Sequence, residues 1–123
     1  MKIRTHKDLD VYKLTFDAAM KILETIKSYP KEEKYALTDQ IRRSSRSVCA
    51  NLAEAFRKRR YPKLFLAKLN DSEGEAPETQ VWLDFSFECN YIIKIQYEEL
   101  NTKYDNIIGK LVNMSLHPEK WNY

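Results

Sequence analysis

The scarcity of chain-breaking residues is the feature that most restricts the folds open to this sequence. Its 123 residues include only two Gly and four Pro, too few for the turns of an all-β protein. Between the prolines, apolar residues recur at steps of three and four, which is the spacing of one face of an α-helix. The sequence therefore predicts long helices joined by short connections.

The apolar spacing predicts four helices, at about residues 9–27, 31–60, 62–91 and 97–114. Asp8 is the expected N-cap of the first, and Pro30 and Pro62 suit the starts of the second and third. Pro77 lies inside the third helix, so we expect a kink between Glu73 and Pro77. Long helices with short connections pack as antiparallel neighbours. The chain is therefore expected to form one domain, residues 1–123, that is an all-α, antiparallel up-and-down four-helix bundle.

Two helix faces are expected to build the packing. In the first helix, the expected buried stripe consists of Leu9, Tyr12, Phe16, Ala19, Leu23 and Ile26. In the second helix, the small residues that would let a neighbouring helix approach closely are Ser44, Ser45, Ala50 and Ala53. Hydrophobic residues make up 43% of the chain, which is enough apolar material for a single core.

Apolar runs and cysteines indicate the compartment. The N-terminal residues have no apolar run long enough for a signal peptide, and no stretch approaches the roughly 18 apolar residues of a membrane span. We therefore expect a cytoplasmic protein. Cys49 and Cys89 stand far apart and outside any CxxC pair, which indicates two reduced thiols packed as small hydrophobes, with no disulfide or zinc site.

Charge is distributed unevenly along the chain, although the formal net charge is only +3. Residues 31–61 carry nine Lys or Arg against four Asp or Glu, whereas residues 62–123 carry six against ten. The asymmetry indicates either a basic binding face or charge pairing between neighbouring helices.

The second predicted helix carries the clearest candidate binding surface. Arg42, Arg46, Arg57 and Arg60 fall within an arc of roughly 60° on a helical projection, and we call this arc the basic edge. A guanidinium contacts phosphates through planar, paired donors. The predicted nucleic-acid-binding residues are Arg42, Arg43, Arg46, Arg57, Arg59, Arg60 and Lys63. The alternative is a solvated face paired with the acidic third helix, through Asp71, Glu73, Glu75 and Glu78.

The third predicted helix has apolar side chains nearly all round it between residues 81 and 87. One bundle core needs only one stripe, so a helix of this kind is expected to meet a second surface. The predicted subunit-interface residues are Trp82, Phe85 and Phe87. The alternative is an enclosed core helix of a monomer, with Trp82 half covered.

Residue types needed for catalysis form no recognisable site. His6 and His117 lie outside the predicted helices, whereas a metal site in a bundle usually combines Glu with Glu-x-x-His from facing helices. A Gly-rich phosphate loop, a nucleophile elbow and an HExxH motif are all missing from the sequence. We therefore expect no enzymatic activity, no metal and no cofactor.

Three blocks of the chain carry a family resemblance: Leu9-Asp10-Val11-Tyr12, Tyr29-Pro30-Lys31-Glu32-Glu33 and residues 37–54. The third block contains Gln40-Ile41-Arg42-Arg43 and Asn51-Leu52-Ala53-Glu54. These blocks resemble a bacterial family of four-helix bundles, first noticed as reading frames within intervening sequences of 23S ribosomal RNA genes. The resemblance covers nearly the whole chain.

The resemblance implies a bundle that assembles as a ring, typically a pentamer. The family is similar to accessory proteins of diversity-generating retroelements, which form basic rings and work with a reverse transcriptase and nucleic acid. This implication supports nucleic-acid binding through Arg42, Arg43, Arg46 and Arg57. We therefore predict a non-enzymatic homo-oligomer that binds RNA or DNA. The alternative is a protein-interaction scaffold that recruits a partner protein and does not itself bind nucleic acid.

Overall fold

Four α-helices make up most of the fold. The computed structural model describes residues 3–121 and contains no β-strand in that range. The helices are α1 (Asp10–Thr25), α2 (Asp39–Arg57), α3 (Pro62–Glu88) and α4 (Lys94–Leu116). α2 packs against α1 and α3, and α4 packs against the same two helices, so α1 and α3 lie on a diagonal. The predicted all-α four-helix bundle is confirmed.

The Asp8 carboxylate caps a short 3-10 helix, His6–Asp8, rather than α1. Its Oδ2 atom accepts the backbone N–H groups of Arg4 and Thr5 at 2.8 and 3.1 Å, and these hydrogen bonds lower the pKa of Asp8. Leu9 is buried and occupies the N-cap position of α1, where it offers no side-chain cap. The prediction that Asp8 caps the first helix is therefore wrong.

α1 buries a different stripe from the predicted one. Its buried residues are Val11, Thr15, Ala18 and Ile22. Phe16, at the centre of the predicted stripe, is 51% exposed. The two stripes are about 100° apart on the helix. Both consist largely of apolar residues, so apolar spacing alone does not show which of them faces the core. The small Thr15 and Ala18 face inward. Of the predicted stripe, Leu9 and Ile26 at its two ends are buried, whereas Phe16 in its middle lies along the outside of the bundle.

Regular α-helix occupies less of the second predicted segment than its periodicity indicates. A 3-10 turn and a π-helical turn, Lys31–Glu33 and Lys34–Thr38, precede α2. At the other end, Tyr61 is extended, with φ −113° and ψ 92°, because it stands before Pro62. Residues 58–60 form the intervening turn, so Arg60 does not continue the helical register of α2.

α3 continues past Pro77 without a break, and Pro77 itself is exposed. The expected kink near Pro77 stays a prediction. α3 ends in a Schellman motif: Asn90 has a positive φ of 63°, and the Tyr91 N–H donates to the Ser86 carbonyl at 2.9 Å. α3 therefore ends at Glu88, three residues before its predicted end, and α4 begins at Lys94, three residues before its predicted start.

Several buried positions along the contact between α2 and α3 carry small hydroxyl side chains. The Ser72 hydroxyl donates to the Val48 carbonyl at 2.7 Å, and the Thr79 hydroxyl donates to Ser44 at 2.8 Å. Ser44, Ser72 and Thr79 are fully buried. Because these groups are small and hydrogen-bonded, they suit a close contact between the two helices.

Candidate nucleic-acid interface

The two arginines nearest the start of α2, Arg42 and Arg43, form ion pairs with carboxylates. Arg42 pairs with Asp39, three residues earlier on α2, at 2.5 Å. The Arg43 guanidinium donates to the Glu75 carboxylate at 2.9 Å and also pairs with Glu78. These contacts raise the pKa of Arg43. For Arg43, the structure matches the alternative interpretation, in which α2 pairs with the acidic α3.

Arg46 and Arg57 are the two exposed α2 arginines without a carboxylate partner among the described residues. They are eleven residues apart on the helix, which corresponds to about 16 Å along its axis. Ala50 and Ala53 lie between them on the same side. The predicted edge is therefore two separated positions rather than a continuous row of available guanidinium groups.

Cations concentrate at the corner where α2 turns into α3. We call the segment Arg57–Lys63 the basic corner. The Arg59 guanidinium lies 3.9 Å from the Phe56 ring centroid, and its Nη1 donates to the Phe56 carbonyl at 2.9 Å. The Arg60 guanidinium lies 5.0 Å from the ring of Tyr61, which is 50% exposed. Ring contacts thus hold two of the arginines at the surface.

No acidic residue occurs between Glu54 and Asp71, a span that includes the whole basic corner. Both of these carboxylates face Lys68, at 3.0 Å from Glu54 and 3.9 Å from Asp71. Arg57 and Lys63 form no ion pair within residues 3–121, and both are exposed. Arg57 and Lys63 are therefore two cations of the basic corner that no carboxylate within residues 3–121 neutralises.

An apolar groove runs between α1 and α2, with a volume of about 410 Å³. We call it the α1–α2 groove; its lining residues are Tyr12, Phe16, Ala19, Met20, Leu23, Arg46, Cys49, Ala50 and Ala53. Phe16 and Met20 are 51% and 50% exposed. Sequence reasoning missed this surface because it assigned the outer stripe of α1 to the core. The signal that could have found it is a helix with two adjacent apolar stripes.

The predicted subunit-interface residues on α3 point in different directions. Phe85 is 54% exposed. Trp82 is half buried, and its indole N–H donates to the Glu78 carboxylate at 3.2 Å. Phe87 stacks on Tyr97 of α4 with ring centroids 4.9 Å apart, so it packs within the same bundle. Of the three, Phe85 is the one that projects clearly from the surface.

Neither a metal-ligand cluster nor a membrane-spanning helix is found in the part of the chain that the structure describes. Within residues 3–121, no group of three or more His, Cys, Asp or Glu side chains could hold a metal ion. Over the same residues, no helix combines the length and the apolar character that crossing a membrane requires.

The fold and these surfaces define the class of the protein: an all-α four-helix bundle with a basic corner and an uncovered apolar groove. The chain belongs to the 23S rRNA-intervening sequence protein family, whose model matches residues 7–113. The resemblance to this family is thus confirmed. The more distant similarity to retroelement accessory proteins stays a prediction.

A solved structure supports the family assignment. The chain is similar to a protein of unknown function from the S23 ribosomal protein family of Bacteroides thetaiotaomicron VPI-5482, with 31% identity and a TM-score of 0.77. The match covers 85% of this chain and 94% of that chain. Among curated proteins, none matches significantly.

Proposed function

We propose that this protein is a non-enzymatic, homo-oligomeric helical bundle that binds the backbone of RNA or DNA in the cytoplasm. The observation that carries the proposal is the basic corner, which lies in a stretch with six Lys or Arg and no Asp or Glu between residues 55 and 70. Backbone phosphates are attracted by such a cluster whatever the base sequence. We take the oligomer to be a ring of five copies, as the family resemblance implies.

Three features of the basic corner suit an extended polyanion. Arg57 and Lys63 are exposed and make no ion pair within residues 3–121, so no intramolecular bridge has to break when a phosphate binds. Arg60 lies against the ring of Tyr61. The exposed Tyr61 ring offers a surface on which an unpaired base can stack. We therefore expect a preference for nucleic acid with unpaired segments over perfect duplex.

The test is a titration of fluorescent structured RNA and of matched duplex DNA at several salt concentrations. A plot of log affinity against log salt concentration falls with a negative slope. Arg57→Ala combined with Lys63→Ala should make this slope shallower by about two, because each lost phosphate contact removes about one released counterion. The matched control is Lys94→Ala with Lys110→Ala, which removes two exposed cations from α4. That control should leave the slope unchanged.

The remaining arginines of the predicted edge need a separate variant. Arg42→Ala with Arg46→Ala tests the N-terminal half of α2. Unchanged affinity in this variant would confine the site to the basic corner, whereas a matching loss in a variant that assembles as the wild type does would extend it along α2. Absence of binding by the wild-type protein even at low salt would overturn the proposal.

A protein-interaction scaffold without nucleic-acid binding is the second candidate function. The pairing of Arg42 with Asp39 and of Arg43 with Glu75 favours it, because those cations already have partners within the bundle. A stable oligomer indifferent to RNA and DNA at low salt would select this function.

A further inference from the structure

The α1–α2 groove is an apolar surface that the bundle leaves uncovered. α1 turns its Val11–Ile22 stripe inward, and the adjacent stripe around Phe16 forms one wall of the groove. The opposite wall on α2 is built from small side chains, Ala50 and Ala53. Large apolar side chains on one wall and alanines on the other suit the entry of a helix rather than of water.

A second uncovered apolar surface lies on α3, which we call the α3 outer face: Gly74, Val81 and Phe85. Val81 and Phe85 are four residues apart on the helix and are 46% and 54% exposed. At Gly74, an added Cβ would meet no atom within 4 Å. A glycine inside a helix costs about 1 kcal/mol relative to alanine, and no contact among the described residues requires it. An interface that brings another chain close to this face would give this glycine a role.

The two surfaces cannot cover each other within one molecule. α1 and α3 lie on the diagonal of the bundle, so the α3 outer face is directed away from the α1–α2 groove. Each surface also has an unbalanced charge beside it. Arg46 borders the groove and Glu88 follows Phe85 by three residues, and neither forms an ion pair within residues 3–121.

We propose that the α1–α2 groove of one copy receives the α3 outer face of a second copy, with Arg46 of the first near Glu88 of the second. The proposal rests on the homo-oligomer of the proposed function and names the surfaces that join it. Such a contact uses two different patches and is head-to-tail. Repeated, it closes into a ring of fixed size or continues as a filament. A closed ring is the expected product.

The test uses two single variants of the full chain, Phe16→Asp and Phe85→Asp, followed by sedimentation velocity and native mass spectrometry. Both residues are more than half exposed, so the fold should survive, and circular dichroism checks this. Each variant alone should be monomeric. An equimolar mixture should form a dimer of one copy of each variant, because the mixture still contains one intact groove and one intact α3 outer face. Met20→Glu replaces Phe16→Asp if that variant does not fold.

Three outcomes would overturn the proposal: a wild-type protein that is monomeric, either variant assembling as the wild type does, or a mixture that stays monomeric. A charge exchange adds an independent check. Arg46→Glu and Glu88→Arg should each weaken assembly, and the two together in one chain should restore it.

The same variants separate this inference from the proposed function. Salt-dependent RNA binding by the monomeric variants would support the basic corner irrespective of assembly. Conversely, the Arg57→Ala/Lys63→Ala variant should assemble normally, because neither residue lines the groove or the α3 outer face.

Discussion

The Arg43 guanidinium clamps α2 to α3 by donating to both carboxylate oxygens of Glu75, with Nη1–Oε2 at 2.9 Å and Nη2–Oε1 at 3.3 Å. Such paired donors fix geometry as well as charge. The Arg43 side chain is 48% exposed and that of Glu75 20%, so solvent screens part of the attraction. Arg43→Ala should lower the free energy of unfolding by about 0.5–1 kcal/mol, measured by urea denaturation.

A double-mutant cycle distinguishes the ion pair from other effects of the substitution. Glu75→Gln should cost less than Arg43→Ala, because Arg43 keeps its pair with Glu78, and the double variant should cost less than the sum of the two. Affinity for RNA should be the same in all three variants, because Arg43 already has partners. A lower salt slope in Arg43→Ala would instead place Arg43 among the residues that contact nucleic acid.

The two exposed helix glycines provide a matched pair of substitutions. An added Cβ at Gly74 on α3 or at Gly109 on α4 would meet no atom within 4 Å. Gly74→Ala and Gly109→Ala should therefore each raise the free energy of unfolding of the protomer by about 1 kcal/mol, through helix propensity. Only Gly74→Ala should also weaken self-association, because Gly74 lies on the α3 outer face. Equal assembly by both variants would remove Gly74 from the interface.

Helix existence was predictable because four long apolar-periodic segments with so few Gly and Pro residues have few alternative folds. Helix ends were less predictable, since they depend on individual backbone groups. Asp8 caps a turn before α1, and the Tyr61-Pro62 pair removes Arg59 and Arg60 from the register of α2. The helical projection of the basic edge assumes that one helical register extends to Arg60, whereas α2 ends at Arg57.

The orientation of α1 shows why surfaces are harder to predict than folds. Phe16 and Ala18 are both apolar and two residues apart, yet Ala18 is fully buried and Phe16 is half exposed. Which one faces inward depends on how closely α2 and α4 approach, and spacing along one helix contains no information on that distance. For the same reason, the sequence offered the pairing of α2 arginines with α3 carboxylates only as an alternative. Arg43 and Glu75 are 32 positions apart, and their contact depends on how the two helices pack.

The two thiols should react at different rates. Cys89 is exposed where α3 ends, which departs from the expectation of two packed cysteines. Cys49 is partly buried beside the α1–α2 groove, and burial raises the pKa of its thiol, so less of it is the reactive thiolate at neutral pH. A thiol reagent should modify one cysteine quickly and the other slowly. Cys89→Ser should abolish the fast phase and leave the slow one, and a persistent fast phase would contradict this assignment.

Tyr91 makes the fold sensitive to alkaline pH. Its hydroxyl donates to the Glu33 carboxylate at 2.8 Å, linking the connection before α4 to the turn before α2. This hydrogen bond, more than burial, raises the pKa of Tyr91 from its ordinary value of 10.0 to about 12. The proton is therefore held more tightly in the folded state than in the unfolded state. The resulting stabilisation is complete below about pH 10 and is lost as the pH rises through about 12.

Tyr91→Phe isolates this contribution. The variant lacks the ionisable hydroxyl, so its free energy of unfolding should fall less steeply than that of the wild type between about pH 10 and 12. Other groups that titrate in the same range, including buried Tyr104, whose pKa is also raised, are common to both proteins and cancel in the difference. Urea midpoints measured across this range provide the comparison. Parallel curves for the two proteins would show that the bond between Tyr91 and Glu33 does not control the alkaline limit of stability.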